Sequence, residues 1–127
     1  MESLNNKKVL LVDDNFVNLI VAKNVLQRAG IRVTTAENGA AAIEQLNKDS
    51  FDAVLMDIQM PVMDGIEATT YIRDTLALKQ LPIIAVSANV MQKDIDRSIQ
   101  AGMVAHIGKP IVSEHLLLTL ESHLKSA

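Results

Sequence analysis

Val9-Leu10-Leu11-Val12-Asp13-Asp14-Asn15 joins a short apolar run to two acids and a helix-capping amide. Four consecutive apolar side chains leave no polar face, the pattern of a strand covered on both sides. The strand is expected from Lys7 to Val12, and Asp13-Asp14-Asn15 then offers caps for a helix. Leu19, Ala22, Leu26 and Ala29 follow at helical spacing, and Gly30 stands where a helix end favours a left-handed residue. The same alternation recurs downstream. Ile31–Thr35 reads as a strand and Ala40–Lys48 as a helix opened by Asn38-Gly39. Ala53-Val54-Leu55-Met56 is a second all-apolar strand, ending on Asp57. Pro61 breaks the chain before Asp64, whose spacing to Glu67 is that of a capping box opening a helix from Gly65 to about Leu76. Pro82 opens the strand Ile83–Val86, which ends at Ser87. Met91, Ile95 and Ile99 then mark one helical face, closed by Gly102. Val104–Ile107 is a fifth strand, and Leu117, Leu120 and Leu124 mark a last helix capped by Ser113. Five strand-helix units in strict alternation predict a doubly wound α/β domain: a five-stranded parallel sheet with helices on both faces.

All 127 residues are taken up by this pattern, so residues 1–127 are expected to form a single domain with its core at about 7–125. A 49% hydrophobic and 21% charged composition suits a packed globule. Twelve basic against fifteen acidic residues, net charge -3, argue against an electrostatic nucleic-acid binder. The three aromatics, Phe16, Phe51 and Tyr71, make no base-stacking platform. The absence of cysteine excludes a disulfide framework, thiol catalysis and thiolate metal sites. No apolar run reaches the length of a membrane span, and Met1-Glu2-Ser3-Leu4-Asn5-Asn6 lacks the apolar centre of a signal peptide. The expectation is a cytoplasmic domain without direct nucleic-acid or membrane contact.

The polar residues that interrupt the pattern lie where the strands end, and ligands of open parallel sheets bind beyond those carboxyl ends. Strand one delivers Asp13 and Asp14, strand three Asp57, strand four Ser87 and strand five Lys109; strand two, ending in Thr34-Thr35, delivers nothing comparable. Taken singly, each is an ordinary cap, turn or solvated residue. Together they bring three carboxylates to one sheet edge, and each pair about 4 Å apart costs roughly 4 kcal/mol at a surface-like dielectric. Lys109 offsets one charge and a divalent cation would offset two. Oxygen ligands without His or Cys favour a hard ion, Mg²⁺ first. Such a cluster suits phosphoryl transfer, with one carboxylate attacking while cation, lysine and hydroxyl neutralise the phosphoryl oxygens. No glycine-rich phosphate loop is present, which disfavours nucleotide binding.

Leu11-Val12-Asp13-Asp14-Asn15, Met56-Asp57-Ile58-Gln59-Met60-Pro61-Val62-Met63-Asp64-Gly65, Val86-Ser87-Ala88-Asn89 and Gly108-Lys109-Pro110 resemble the receiver domain of two-component response regulators. The resemblance spans about Lys7 to Lys125. It implies a flavodoxin-like sheet of order 2-1-3-4-5 and makes Asp57 the acceptor of a phosphoryl group from a histidine kinase or histidine phosphotransfer protein. Asp13, Asp14 and Asp57, with the Gln59 backbone carbonyl, would hold Mg²⁺. Ser87 and Lys109 would each contact a phosphoryl oxygen, and the Lys109–Pro110 bond would be cis. Gln59 and Asn89 match positions that tune loss of the phosphoryl group. The family places an aromatic switch residue three before the lysine; here it is His106, either a smaller moving ring, a proton-sensitive bias, or a strand residue with no such role.

Two further classes share parts of this pattern. A phosphatase of the haloacid dehalogenase type needs a second acid two residues after its nucleophile, where Gln59 stands. An interaction module derived from a receiver would lack part of the acidic cluster or the lysine, and here Asp13, Asp14, Asp57, Ser87 and Lys109 are all in place.

Phe16, Val17, Ile20 and Val21 exceed what one core stripe needs, so some are expected to be exposed beside Asp13 and Asp14 and to dock a helix of the phosphodonor. His115 and His123 read as solvated helix positions, and the six Met residues as core filling or loop packing. The motif wording is most similar to receivers attached to hybrid sensor kinases, which would put the domain on the cytoplasmic side of a membrane-bound parent. The last two helices and the fifth strand form a candidate face for a homodimer.

Overall fold

The computed structural model describes residues 4–60, 62–88 and 91–124. Pro61, Asn89, Lys125 and the first three residues, for which readings were given above, lie outside them. Ten elements alternate along the chain: β1 Lys8–Val12, α1 Phe16–Arg28, β2 Arg32–Ala36, α2 Gly39–Lys48, β3 Ala53–Asp57, α3 Gly65–Asp74, β4 Ile83–Ser87, α4 Gln92–Ala101, β5 Ala105–Gly108 and α5 Ser113–His123. The strands form one parallel sheet in the order β2-β1-β3-β4-β5. Both the alternation and the order are therefore those expected.

The central strands are apolar throughout because both of their faces are covered. Val9, Leu11, Leu55, Ile84 and Val86 point to one side, where α1 (Leu19, Ala22, Leu26) and α5 (Leu116, Leu120) close a core. Leu10, Val12, Val54, Met56, Ile83 and Ala85 point to the other, against α2, α3 and Met103. Successive residues of one strand thus feed two separate cores.

Helix starts follow the capping residues for the first three helices. Asn15 accepts from the Asn18 amide at 3.1 Å, and Asn38 from the Ala41 amide at 2.8 Å. Asp64 and Glu67 complete a reciprocal capping box, each side chain bonded to the other's backbone N–H. The last helix departs from expectation: Ser113 is its first helical residue, and the flanking Val112 supplies no side-chain cap. The edge strands each start one residue later than their apolar patterns suggest. Pairing fixes the shift, with Arg32 opposite Lys8 and Gly108 opposite Ser87.

The stripe on α4 also differs. Met91 precedes the helix, and both Met91 and Ile99 face solvent, Ile99 at 62% exposure. The only buried residue of α4 is Ser98, whose hydroxyl donates to the Ile95 carbonyl at 2.7 Å. Of the stripe, Met91 and Ile99 are exposed and Ile95 is half-buried.

Candidate phosphoryl-transfer site

Asp13 immediately follows β1 and Asp57 ends β3, so neighbouring parallel strands deliver two carboxylates side by side. Both are nearly inaccessible, while Asp14 is exposed. β2 has a backbone part in this: the Ala36 carbonyl accepts from the Asp13 amide at 3.1 Å, fixing the chain as it leaves β1. The Asp13 carboxylate in turn accepts from the Asn15 amide at 2.9 Å, which turns the chain into α1. Oxygens of Asp13, Asp14 and Asp57 lie within 4.8 Å of one another.

Lys109 reaches this cluster from just beyond β5. Its Nζ stands 3.0 Å from Asp13 Oδ2 and 3.3 Å from Asp57 Oδ2, and its amide donates to the Ser87 carbonyl at 3.0 Å. The Lys109–Pro110 bond is cis, as the resemblance implies. Ser87 is buried at the end of β4, beside the same edge. Gln59 is exposed, and its amide donates to Asp57 Oδ1 at 3.2 Å. Sequence reasoning thus named a set of residues that the fold gathers at one edge of the sheet.

The electrostatics are unbalanced. Burial and the Asp13 charge push the Asp57 carboxyl up from 3.8 to about 6, against the opposing pull of Lys109 and the Gln59 amide. Burial alone would favour the neutral Lys109 amine, but the Asp13 and Asp57 carboxylates outweigh it and hold its pKa above the ordinary lysine value. One lysine faces three carboxylates. The all-oxygen donor set, its spread of 4.8 Å and this excess negative charge fit a hard divalent cation.

Two features of the site's frame carry no sequence signal beyond their residue type. A Cβ on Gly65 would lie 2.2 Å from the Asp57 carbonyl oxygen, so only glycine lets α3 start against the end of β3. Arg73, buried on α3, donates to one backbone carbonyl far from it in sequence, that of Gly102, and to the nearer Leu78 carbonyl. His106 lies on β5 with its Nε2 buried and without a hydrogen-bond partner among the described residues. Burial pushes its pKa below the usual imidazole value despite the nearby Asp94, so the ring is neutral at neutral pH. The proton-sensitive option for His106 therefore acts below that range.

A cavity of about 680 Å³ lies away from the carboxylates, at the opposite end of the strands, with Phe51, Leu81 and Pro82 in its lining. A smaller one of about 150 Å³ adjoins the cluster, between Asn18 and Val21 of α1 and Lys109-Pro110-Ile111.

Comparison with known proteins agrees with this geometry. Residues 9–121 match the model of the response regulator receiver domain family. The polar-differentiation response regulator DivK of Brucella anthropi is 34% identical, over 95% of this chain and 98% of that protein. Probable histidine kinase 1 of Oryza sativa subsp. indica is 33% identical over 96% of this chain, but the chain spans only 16% of that kinase. Among solved structures, the receiver domain of sensor histidine kinase PA1611 from Pseudomonas aeruginosa, with magnesium in its active-site cleft, superposes with a TM-score of 0.88. It is 37% identical over 95% of this chain and 99% of that one. Chemotaxis protein CheY4 of Vibrio cholerae gives a TM-score of 0.89 at 32% identity, over 94% and 99% of the two chains. The chain belongs to the response regulator receiver domain family and is a receiver domain of two-component systems.

Proposed function

We propose, from that membership as premise, that Asp57 is the phosphoryl acceptor of this receiver and that Asp13, Asp14 and the Gln59 carbonyl join it in holding Mg²⁺. The observation that carries this reading is the placement of Asp57. It is buried at a strand end, 3.3 Å from the Lys109 ammonium and within 4.8 Å of the other two carboxylates. With its pKa at about 6, Asp57 is mostly ionised at neutral pH and can act as a nucleophile. Its carboxylate oxygen attacks phosphorus, a P–O bond forms as the P–N bond to a donor imidazole breaks, and the electron pair leaves with the nitrogen. Lys109 and Ser87 then contact the new phosphoryl oxygens. A bound Mg²⁺ supplies further charge neutralisation at those oxygens.

Receiver domains of two-component systems interact with histidine kinases or phosphotransfer proteins, and α1 offers this chain a surface for such a donor. Phe16, Val17, Ile20 and Val21 are all exposed, Phe16 at 72%, directly after the acidic pair. The small cavity between α1 and Lys109-Pro110-Ile111 extends that surface to the cluster. Ile99, Val104 and Leu118, each exposed on or beside α4, β5 and α5, support the proposed homodimer contact through those elements. The kinase relatives support a place on the cytoplasmic side of a hybrid sensor kinase; DivK, which the match nearly fills, supports a regulator of receiver length. No helix among the described residues is long and apolar enough to cross a membrane.

Intact mass after incubation with acetyl phosphate and Mg²⁺ tests the acceptor. Wild type gains one phosphoryl group and Asp57→Asn gains none. A gain in both would move the acceptor elsewhere, and a gain in neither, from acetyl phosphate or from a phosphorylated protein donor, would remove the reading.

A further inference from the structure

The two ends of α4 are held very differently. At its start, Met91 supplies no side-chain cap, and the first turns present Gln92, Lys93, Asp96 and Arg97 to solvent. At its end, Gly102 takes the left-handed conformation, φ 110°. Its amide donates to the Ile99 carbonyl at 3.0 Å, and the Met103 amide donates to Ser98 at 2.9 Å. Ser98 and Met103 are both buried there, so the closing turn is anchored as well as capped.

A guanidinium from another helix completes the anchor. Arg73 of α3 donates to the Gly102 carbonyl through Nε at 3.1 Å and Nη2 at 2.6 Å, and to the Leu78 carbonyl through Nη1 at 2.6 Å. Arg73 is buried and has no carboxylate partner among the described residues. Its charge is satisfied by carbonyls alone, two of the bonds at the carboxyl end of α4, where the helix dipole favours a cation. A Cβ on Gly102 would lie 2.7 Å from Arg73 Nε, so glycine and arginine are fitted to each other.

We propose that Arg73 is the pivot of α4: it pins the carboxyl end of the helix to α3 and the α3–β4 connection, and α4 moves from its amino end, which follows closely on Ser87. A change at the phosphoryl site that reaches α4 through its amino end would then turn the helix, with exposed Ile99, about a fixed point. That conversion rests on the phosphorylation reading, whereas the pinning itself does not.

Residue-resolved amide hydrogen exchange on the full chain separates the two. In the unphosphorylated protein, Gly102 and Met103 should exchange roughly tenfold or more slowly than Ile95 and Asp96, since local opening needs only the loose end. Arg73→Met should abolish this gradient, Arg73→Lys should restore part of it, and the β1 and β3 amides should stay protected in both. A flat gradient in wild type, or a gradient that survives Arg73→Met, overturns the pivot. If Arg73→Met fails to fold, the wild-type gradient and Arg73→Lys still decide. With acetyl phosphate and Mg²⁺, exchange should change at Ile95 and Asp96 but not at Gly102 and Met103; the reverse pattern also overturns it. Intact mass of the same sample reports separately whether Asp57 was modified.

Discussion

Asp57 is held in a state that favours its proton, and this has a cost that the folded chain bears at neutral pH. An unfolded Asp ionises near 3.8, whereas the folded carboxyl, buried and facing Asp13, holds its proton up to about 6. Between these values the folded state binds more protons, so stability is fully present below the lower value and is lost as pH rises through the upper one. At 1.36 kcal/mol per unit, the loss is on the order of 3 kcal/mol by pH 7. Asp57→Asn removes the ionisation and keeps the shape. In metal-free buffer with chelator, it should raise unfolding free energy by about 3 kcal/mol at pH 7 and by under about 1 kcal/mol near pH 4. Urea denaturation of both proteins at the two pH values checks this, since other carboxylates contribute equally to each. An equal difference at both pH values would show that the charge of Asp57 is not what strains the site. The chain would thus trade stability for a reactive, desolvated nucleophile. The acidic cluster and Lys109 were legible in the sequence because they are polar residues following runs otherwise wholly apolar. The packing roles of Gly65, read only as a motif and helix-start residue, and of Arg73 were not, because each answers to backbone carbonyls, which every residue possesses and no sequence marks.

Among the elements, α1 has the clearest division of labour. Leu19, Ala22 and Leu26 face the sheet and fix the helix, which leaves Phe16, Val17, Ile20 and Val21 free of any core duty. On the proposed docking, a protein donor would cover that surface, whereas a small phosphodonor would reach Asp57 without it. Phe16→Asp should therefore slow phosphoryl transfer from a phosphorylated histidine-containing partner by about tenfold or more, the loss typical of a central apolar contact. Its labelling by acetyl phosphate should stay within about twofold of wild type, because a surface substitution leaves the reacting groups in place. Equal losses with both donors would place Phe16 in the fold of the site instead of in docking. The periodicity of α1 was informative because its stripe packs on a two-sided sheet. That of α4 said less: Met91, Ile95 and Ile99 have helical spacing, but spacing reports that a face exists and not what covers it. Edge strands were shifted for a related reason. β2 has Arg32 and Thr35 exposed, so its apolar pattern is weak and its limits come from pairing with β1. At the start of α5, Val112 stands at the capping position and Ser113 is the first helical residue, so local capping preference did not set that boundary.

At the scale of the molecule, one sheet separates two cores, and the all-apolar strands that identified the fold are the reason the two are insulated. Ile83 and Ile84 are adjacent on β4 and both fully buried, yet Ile84 packs toward α1 and α5 while Ile83 packs toward α2 and α3. Their side chains meet different neighbours on opposite faces of a hydrogen-bonded layer. Ile83→Val and Ile84→Val should each cost about 0.5–1.5 kcal/mol, the usual loss for one buried methylene. Despite their adjacency, the double variant should cost the sum to within about 0.5 kcal/mol, as unconnected sites do. Ile84→Val combined with Leu55→Ala is the contrast, because Leu55 is paired with Ile84 across β3 and β4 in the same core. There the second cavity opens onto the first, and the pair should depart from additivity by about 0.5 kcal/mol or more. Urea midpoints and slopes for the singles and doubles measure both couplings, and strong coupling between Ile83 and Ile84 would mean the sheet transmits packing strain. Insulation of this kind matters for a receiver. On the proposed docking, the face carrying α1 can stay fixed while, on the other face, the amino end of α4 moves about the carboxyl end that Arg73 holds, because the parts the two faces share are the sheet and the carboxylate edge where Asp57 lies.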